Sequence, residues 1–357
     1  MDDSRQGGQK ADSDSKGRIG GKGAKTYLLC GFVSTCVLTG LPLIVVGGVF
    51  GTLLMIPLSA ALCFLFGPAL GAGGLDLLNE YAMFAGIMLG FLLVLLVVKP
   101  WRPYLRAFWT GPSGNRVQML VAGLAIGFAM NAVCVLGAVL AGNINIEFSQ
   151  FSVVGLLAFL FFIFIQASTE ELVCRGFVYQ RLNRTYGTAV AVVGSAVIFS
   201  LGHALNSGVT LLALLDIFLI GVFYALMVRY FDSIWMAMGA HTAWNFTQNI
   251  LFGLPNSGAG SSYSFFVLSG AQTNGFAYDA AFGVEGTLLA VALNAACIVA
   301  LFLWGRSHSK KKAYDIWREP EKETQQADGV VADSPAAVAA AGAPAVQAAA
   351  PKNGWFY

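Results

Sequence analysis

Long runs of apolar residues, separated by short polar segments, fill the middle of this chain. A helix needs about 20 apolar residues to cross the hydrocarbon core of a bilayer. Runs of about that length predict transmembrane spans at residues 81–98, 117–141, 151–168, 188–205, 209–230, 234–251 and 287–304. The pattern therefore predicts an all-α, polytopic helical membrane protein in which every backbone polar group is satisfied inside a helix.

Residues 27–70 are also apolar, but Pro42, Pro57 and several glycines interrupt them, so this region predicts either two short spans or one span plus an interfacial piece. The total is then a bundle of about eight or nine transmembrane helices with a polar intramembrane cavity. Composition agrees, since 57% of the 357 residues are hydrophobic and 11% are charged, against about 25% charged in soluble domains. A net charge of +2 gives no reason to expect a nucleic-acid partner.

The two ends of the chain differ from the middle. Residues 1–25 are polar and without periodicity, and we expect a disordered cytoplasmic tail there. We assign 26–305 to one transmembrane domain, with the polar motifs in 151–251. Residues 306–357 predict a basic juxtamembrane segment followed by a low-complexity Ala/Pro tail. The polar segment 253–285 either caps the bundle or lacks a fixed structure.

The basic residues between the spans predict the orientation. Four predicted loops (67–80, 142–150, 206–208 and 253–285) contain no Lys or Arg, and the alternate connections hold the following basic residues: Lys99, Arg102, Arg106, Arg116, Arg175, Arg181, Arg184, Arg229, Arg306 and Lys310–Lys312. The positive-inside rule places this basic set in the cytoplasm. A basic amino-terminal tail on the same side requires an odd number of crossings within 27–70.

Two adjacent carboxylates, Glu170 and Glu171, end a run that is otherwise apolar and aromatic. Charges at membrane depth cost several kcal/mol and mark functional sites. Neighbouring residues on a helix diverge by about 100°, and Glu171 lies one turn before Arg175, an order that favours an intrahelical ion pair. Glu170 then remains free to face the bundle as a general base.

Two further polar groups interrupt later spans. His203 lies near the end of one span, and His241 and Asn245 lie one turn apart on the same face of another. Each alone is typical of an interhelical hydrogen bond. Together with Glu170 they supply the groups needed to activate water and to stabilise an oxyanion.

Three motifs carry a resemblance to a known family. They are EExxxR at 170–175, FxxxH at 199–203 and HxxxN at 241–245, in that order and at the ends of predicted spans. The chain resembles the CPBP family of intramembrane proteases, which includes the CAAX prenyl proteases and the bacteriocin-processing proteins also called Abi. The resemblance covers about residues 151–251.

The resemblance implies a role for each motif residue. The first glutamate and the second-motif histidine activate water in the family, which puts this role on Glu170 and His203. The third motif stabilises the oxyanion, which assigns His241 and Asn245. The arginine, Arg175, orients the glutamates, in agreement with the ion pair inferred above.

Metal dependence has two alternatives. The family is often described as metalloproteases, and Glu170, His203 and His241 would offer three ligands for zinc with water in the fourth place. The sequence has no HExxH motif, and a metal would take a histidine from the oxyanion site. We favour the metal-free glutamate mechanism.

These observations predict an intramembrane endopeptidase that acts on a peptide or membrane-protein substrate in the lipid bilayer of a bacterial cell membrane. Because the basic loops place Glu170 and Arg175 near the cytoplasmic end of their helix, the cavity is expected to open to the cytoplasm. One alternative is a catalytically silent scaffold that regulates bacteriocin immunity or a sensor kinase. Another is a proton-coupled transporter that uses Glu170, Asp216 and the histidines as a relay.

Overall fold

The structure is a computed structural model that describes residues 48–108 and 114–308. The predicted amino-terminal tail at 1–25, part of the ambiguous segment 27–70 and nearly all of the predicted tail at 306–357 lie outside the described residues. The elements, numbered in chain order, are α1 (Gly48–Val97), a 3₁₀ helix (Lys99–Ala107), α2 (Val117–Leu140), β1 (Asn145–Phe148), α3 (Val153–Glu171), a π-helical segment (Leu172–Val178), α4 (Tyr179–Tyr186), α5 (Thr188–Gly202), α6 (Leu211–Phe231), α7 (Ile234–Asn245), a second π-helical segment (Phe246–Leu251), β2 (Phe266–Ser269) and α8 (Leu288–His308).

The described residues agree with an all-α, polytopic membrane protein. Five helices in this part are long and apolar enough to cross a bilayer, and α5 is a shorter apolar helix. The predicted count of eight or nine spans is not confirmed. Three of the long helices, α2, α6 and α8, begin and end within four residues of a predicted span.

Helix α1 differs most from the prediction, which placed a loop at 67–80. The segment is helical except at Gly71, where φ is 64° and ψ is −176° and the helix bends sharply enough to bring Leu75 against Gly67. Leu77 and Leu78 are buried in the core. The predicted loop at 67–80 was wrong, because this segment is helical and packs against the core. A Cβ atom on Gly73 would lie 2.8 Å from the carbonyl oxygen of Ser262.

Two wide π-helical turns lie beside the polar motifs. One joins α3 to α4, so that Val153–Tyr186 is a continuous helical rod of 34 residues. The other follows Asn245 directly. Single π-turns inside α-helices are frequent at functional sites. The predicted span 151–168 was too short, because the buried Arg175 and its neighbours continue the rod.

Helices α2 and α7 pack closely through glycine. A Cβ atom on Gly127 would lie 2.0 Å from the carbonyl oxygen of Ala240, and one on Gly239 would lie 2.4 Å from that of Leu120. Small residues at such crossings let two backbones approach. The pair therefore holds α7, which carries the third motif, at a fixed distance from α2.

We expect Gly127→Ala to destabilise the fold by about 1–3 kcal/mol, because the added methyl group meets backbone rather than a flexible side chain. Thermal unfolding of the purified protein in detergent measures the effect. Gly202→Ala is the matched control, since nothing lies within 4 Å of the Cβ position there. Equal melting temperatures for the two variants would contradict this account of the crossing.

The segment 252–287 forms an ordered cap over one end of the bundle. Its strand β2 pairs antiparallel with β1, with Asn145 opposite Ser269. Tyr263 and Phe265 are buried with α1 and α3 in one core cluster, and Phe282 is buried in the other. Of the two alternatives for this segment, the described residues therefore show the cap.

Candidate active site

The buried ion pair at the centre of the first motif comes from α3 and the π-helical segment after it. Arg175 Nη1 donates to Glu171 Oε1 over 2.8 Å, and neither side chain is exposed. Arg175 Nη2 donates to the carbonyl oxygen of Gly221 over 2.8 Å, and the guanidinium lies 4.6 Å from the ring centroid of Phe199. A buried pair needs such additional partners to offset desolvation. The ion pair predicted from the sequence is present.

His241 lies between the two glutamates. Its Nδ1 is 3.0 Å from Glu171 Oε1 and its Nε2 is 3.7 Å from Glu170 Oε2. The ring stacks on Tyr224, with 5.4 Å between ring centroids. An ionised carboxylate only accepts hydrogen bonds, so Glu171 favours the tautomer with a proton on Nδ1. Glu171 thereby orients the ring so that Nε2 faces Glu170.

A glutamine that the sequence analysis did not assign connects the first and third motifs. Asn245 Nδ2 donates to Gln166 Oε1 over 2.9 Å, and Gln166 Nε2 donates to Glu170 Oε1 over 2.7 Å. Gln166 lies one turn before Glu170 in a run that is otherwise apolar. An amide in that position was the signal that could have identified it. Gln166 fixes one oxygen of Glu170 and leaves the second hydrogen of the Asn245 amide free to donate elsewhere.

The other carboxylate oxygen of Glu170, Oε2, can still accept hydrogen bonds. Among the described residues, Glu170 Oε2 accepts no hydrogen bond, although the side chain is only 20% exposed. A buried carboxylate oxygen without a donor costs free energy unless a ligand or water supplies one. Glu170 is thus held by one oxygen and available to a reacting group through the other.

His203 follows the last residue of α5. Its Nδ1 is 2.9 Å from the carbonyl oxygen of Phe199, which must accept the proton, so the neutral ring presents Nε2 as an acceptor. In the part of the chain that the structure describes, no hydrogen bond joins His203 to Glu170. The two side chains line the same cavity, so any joint action would pass through a molecule between them.

The polar side chains converge on one cavity of about 190 Å³. A water molecule occupies about 30 Å³ in the liquid, so this volume suits a few waters or part of a peptide. The lining includes five helices (α1, α3, α5, α6 and α7) and the cap, and it contains these predicted site residues: Glu170, His203, His241 and Asn245. A polar cavity between the helices is therefore present.

Comparison with known families gives a match for the segment that carries the three motifs. Residues 152–247 match the family model described as type II CAAX prenyl endopeptidase Rce1-like. This segment is similar to an Rce1-like domain. The match spans all three motifs and confirms the resemblance drawn from them. The chain gave no match among curated proteins or among solved structures.

A carboxylate from outside the matched segment also lines the cavity. Glu285 Oε1 accepts from Trp244 Nε1, and Glu285 Oε2 accepts from the backbone N–H and the hydroxyl of Ser257, each over 2.8 Å. Burial raises the pKa of Glu285, and the hydrogen bonds from Ser257 and Trp244 oppose that shift. No periodicity relates residue 285 to residue 244, so the sequence held no signal for this contact. Glu285 fastens the cap to the helix that carries the third motif.

We expect Glu285→Gln to loosen the cap, because the new amide NH₂ group would face a donor at one of these bonds and leave it unmade, at a cost of about 1–3 kcal/mol. Hydrogen exchange of residues 252–287 should quicken. Glu147→Gln, at an exposed position of β1, is the matched control and should leave exchange unchanged. Unchanged exchange in Glu285→Gln would show that the carboxylate does not fasten the cap.

Asp216, which the sequence analysis considered only as part of a proton relay, has a structural partner. Its side chain is 1% exposed and accepts a hydrogen bond from Asn294 Nδ2 over 2.8 Å. The contact joins α6 to α8. Asp216 also lines the cavity.

The predicted zinc ligands do not form a ligand set in this geometry. Among residues 48–108 and 114–308, no group of three or more His, Cys, Asp and Glu side chains is placed to hold a metal ion. His203 Nδ1 faces a backbone carbonyl, and His241 Nδ1 faces Glu171 rather than Glu170.

The position of Glu170 along its helix differs from the prediction. Glu170 lies 17 residues after Val153 and 16 before Tyr186, at the middle of the continuous rod. The premise that Glu170 lies near the basic end of its helix was wrong, because the π-turn carries the helix on past Arg175. Every lining residue outside a helix belongs to segments 203–210 or 252–287.

Proposed function

We propose that this chain is an intramembrane endopeptidase in which Glu170 activates water for attack on a peptide bond. One observation carries the proposal: Glu170 Oε2, without a hydrogen bond among the described residues, lies 3.7 Å from His241 Nε2 at the wall of a polar cavity. The Rce1-like match supports the reaction class, since that family hydrolyses peptide bonds.

The water would bind between Glu170 Oε2 and His203 Nε2. Glu170 removes one proton as the water oxygen bonds to the substrate carbonyl carbon, which gives a tetrahedral intermediate. The protonated Glu170 then donates that proton to the leaving amine nitrogen as the carbon–nitrogen bond breaks. The products are a carboxyl and an amine, and the glutamate returns to its starting state.

Two groups of α7 would stabilise the oxyanion. They are the free amide hydrogen of Asn245 and the ring of His241, which lie one turn apart on this helix. For His241 to donate to the oxyanion, its ring would carry a proton on Nε2 as well as on Nδ1. A single donor of this kind contributes about 3 kcal/mol to transition-state stabilisation.

Glu171 and Arg175 are positioning residues in this account. Arg175 fixes Glu171 by the buried ion pair, and Glu171 fixes the His241 ring through Nδ1. Gln166 likewise fixes the positions of Glu170 and Asn245, because it forms a hydrogen bond with each of them. Neither Glu171 nor Arg175 lines the cavity.

Comparative membrane proteomics tests the function. Cells that carry Glu170→Gln in place of the wild type should accumulate uncleaved precursors, and cells with Glu147→Gln should not. A cellular phenotype that survives in Glu170→Gln, with no precursor accumulating, would favour the silent scaffold instead.

A further inference from the structure

One face of the described bundle carries all the basic residues except the buried Arg175. These are Lys99, Arg102, Arg106, Arg116, Arg181, Arg184, Arg229 and Arg306. Contacts join the connections that hold them. Trp235 Nε1 donates to the carbonyl oxygen of Phe108, and Phe231 stacks on Trp304 near the end of α8. The basic connections therefore lie together in space.

The opposite face contains no Lys or Arg among the described residues. It consists of β1, the segment 203–210 and the cap at 252–287, joined by the β1–β2 ladder and by a 2.7 Å hydrogen bond from Asn206 Nδ2 to the carbonyl oxygen of Ser257. Its charged residues include Glu147 and Asp279. Basic connections remain in the cytoplasm during insertion, so this acidic face is extracytoplasmic.

The cavity belongs to the extracytoplasmic half of the bundle. Its lining outside the helices comes from that face and consists of His203, Asn206, Asn256, Ser257, Ala259 and Glu285, and no residue of a basic connection takes part. Ala259 is exposed and also lines the cavity. The wall of the cavity therefore reaches the surface of the described protein at this end.

The lining also restricts the substrate. Four carboxylates, those of Glu80, Glu170, Asp216 and Glu285, line the cavity, and no Lys or Arg does. A terminal carboxylate would find no basic partner there. Asn256 Oδ1 is buried without a hydrogen-bond partner among the described residues, which offers an acceptor to a peptide N–H.

From these observations we propose that the cavity takes its substrate from the extracytoplasmic face, as an internal, uncharged or basic segment of an exported or membrane protein. This proposal rests on the protease function for the nature of the substrate, but not for the side of entry. It replaces the expected opening to the cytoplasm.

Cysteine labelling tests the side of entry without reference to proteolysis. In full-length protein with its six native cysteines replaced, we would introduce Ala259→Cys at the cavity, Ala271→Cys at an exposed site of the cap and Thr185→Cys at the exposed end of α4. A membrane-impermeant maleimide applied to intact cells should label the first two, and Thr185→Cys only after permeabilisation. Labelling of Ala259→Cys only after permeabilisation would overturn the proposal.

Mapping of cleavage sites tests the substrate class. New peptide termini that depend on Glu170 should fall in extracytoplasmic segments, away from the substrate's carboxyl terminus. Sites confined to cytoplasmic carboxyl termini would overturn the proposal even if the protease function holds. If no Glu170-dependent terminus forms while Ala259→Cys is labelled from outside, the protease function and the substrate class both fail, and the side of entry stands.

Discussion

Glu170→Gln should lower the rate of peptide cleavage by a factor of at least about 100, the smallest effect usual for removal of a general base. Glutamine has nearly the shape of glutamate and keeps an oxygen to accept from Gln166, so the fold should persist. The protein loses only the ability to remove a proton from water. The rate is measured with purified protein in lipid vesicles. The substrate is a precursor identified by the comparative membrane proteomics described above.

Two controls make this result specific to the base. The melting temperature of Glu170→Gln should match that of the wild type, and Glu147→Gln, on the exposed strand β1, should cleave at the wild-type rate. Cleavage by Glu170→Gln within a few-fold of the wild-type rate would show that another group activates the water.

Arg175→Met should be the most destabilising single change at the site. It leaves Glu171 buried at 0% exposure without its ion-pair partner, and breaking a buried pair in this way costs about 3–5 kcal/mol. For a domain of this size the melting temperature should fall by more than about 6 °C. Thermal unfolding in detergent measures the change.

A second substitution separates charge from packing in this prediction. Adding Glu171→Gln to Arg175→Met removes the unpaired charge and should restore part of the lost stability. Arg306→Met, at an exposed arginine of α8, should leave the melting temperature nearly unchanged. If Arg175→Met behaved like Arg306→Met, the ion pair would have no stabilising role.

The helices were largely predictable because membrane spans follow from length and apolarity alone. Residues 117–140 and 211–231 illustrate this, since polar segments bound each apolar run on both sides. The bend at Gly71 was not predictable in the same way. Glycines in series indicate a loop when read locally, and only the approach of the cap shows that they serve packing.

The chemistry of the site could be predicted further than its geometry. Charged and amide side chains are costly in a bilayer, so Glu170, His241 and Asn245 were conspicuous in the sequence, and the structure brings them to one cavity. The sequence could not show that His241 Nε2 lies 3.7 Å from Glu170 Oε2. It also could not show that Glu285 reaches the cavity from a distant loop. Such contacts depend on how the helices and the cap pack together.

The predicted side on which the cavity opens depended on where the helix that carries Glu170 ends. Helical periodicity gives no sign of the π-turn at Leu172–Val178, which extends the rod beyond Arg175 and places Glu170 at its middle. The charge pattern of the connections predicts a polarity of the bundle. The half of the bundle that we propose for the cavity follows from the residues that line it outside the helices.

The central claim is that Glu170 and His203, from separate helices, act on one water molecule. A double-mutant cycle on cleavage rate tests it most directly, with Glu170→Gln, His203→Gln and the two combined. Residues that act as a unit give losses that do not add, so the double variant should be about as slow as Glu170→Gln alone. A double variant slowed by the product of the two single effects would contradict the claim.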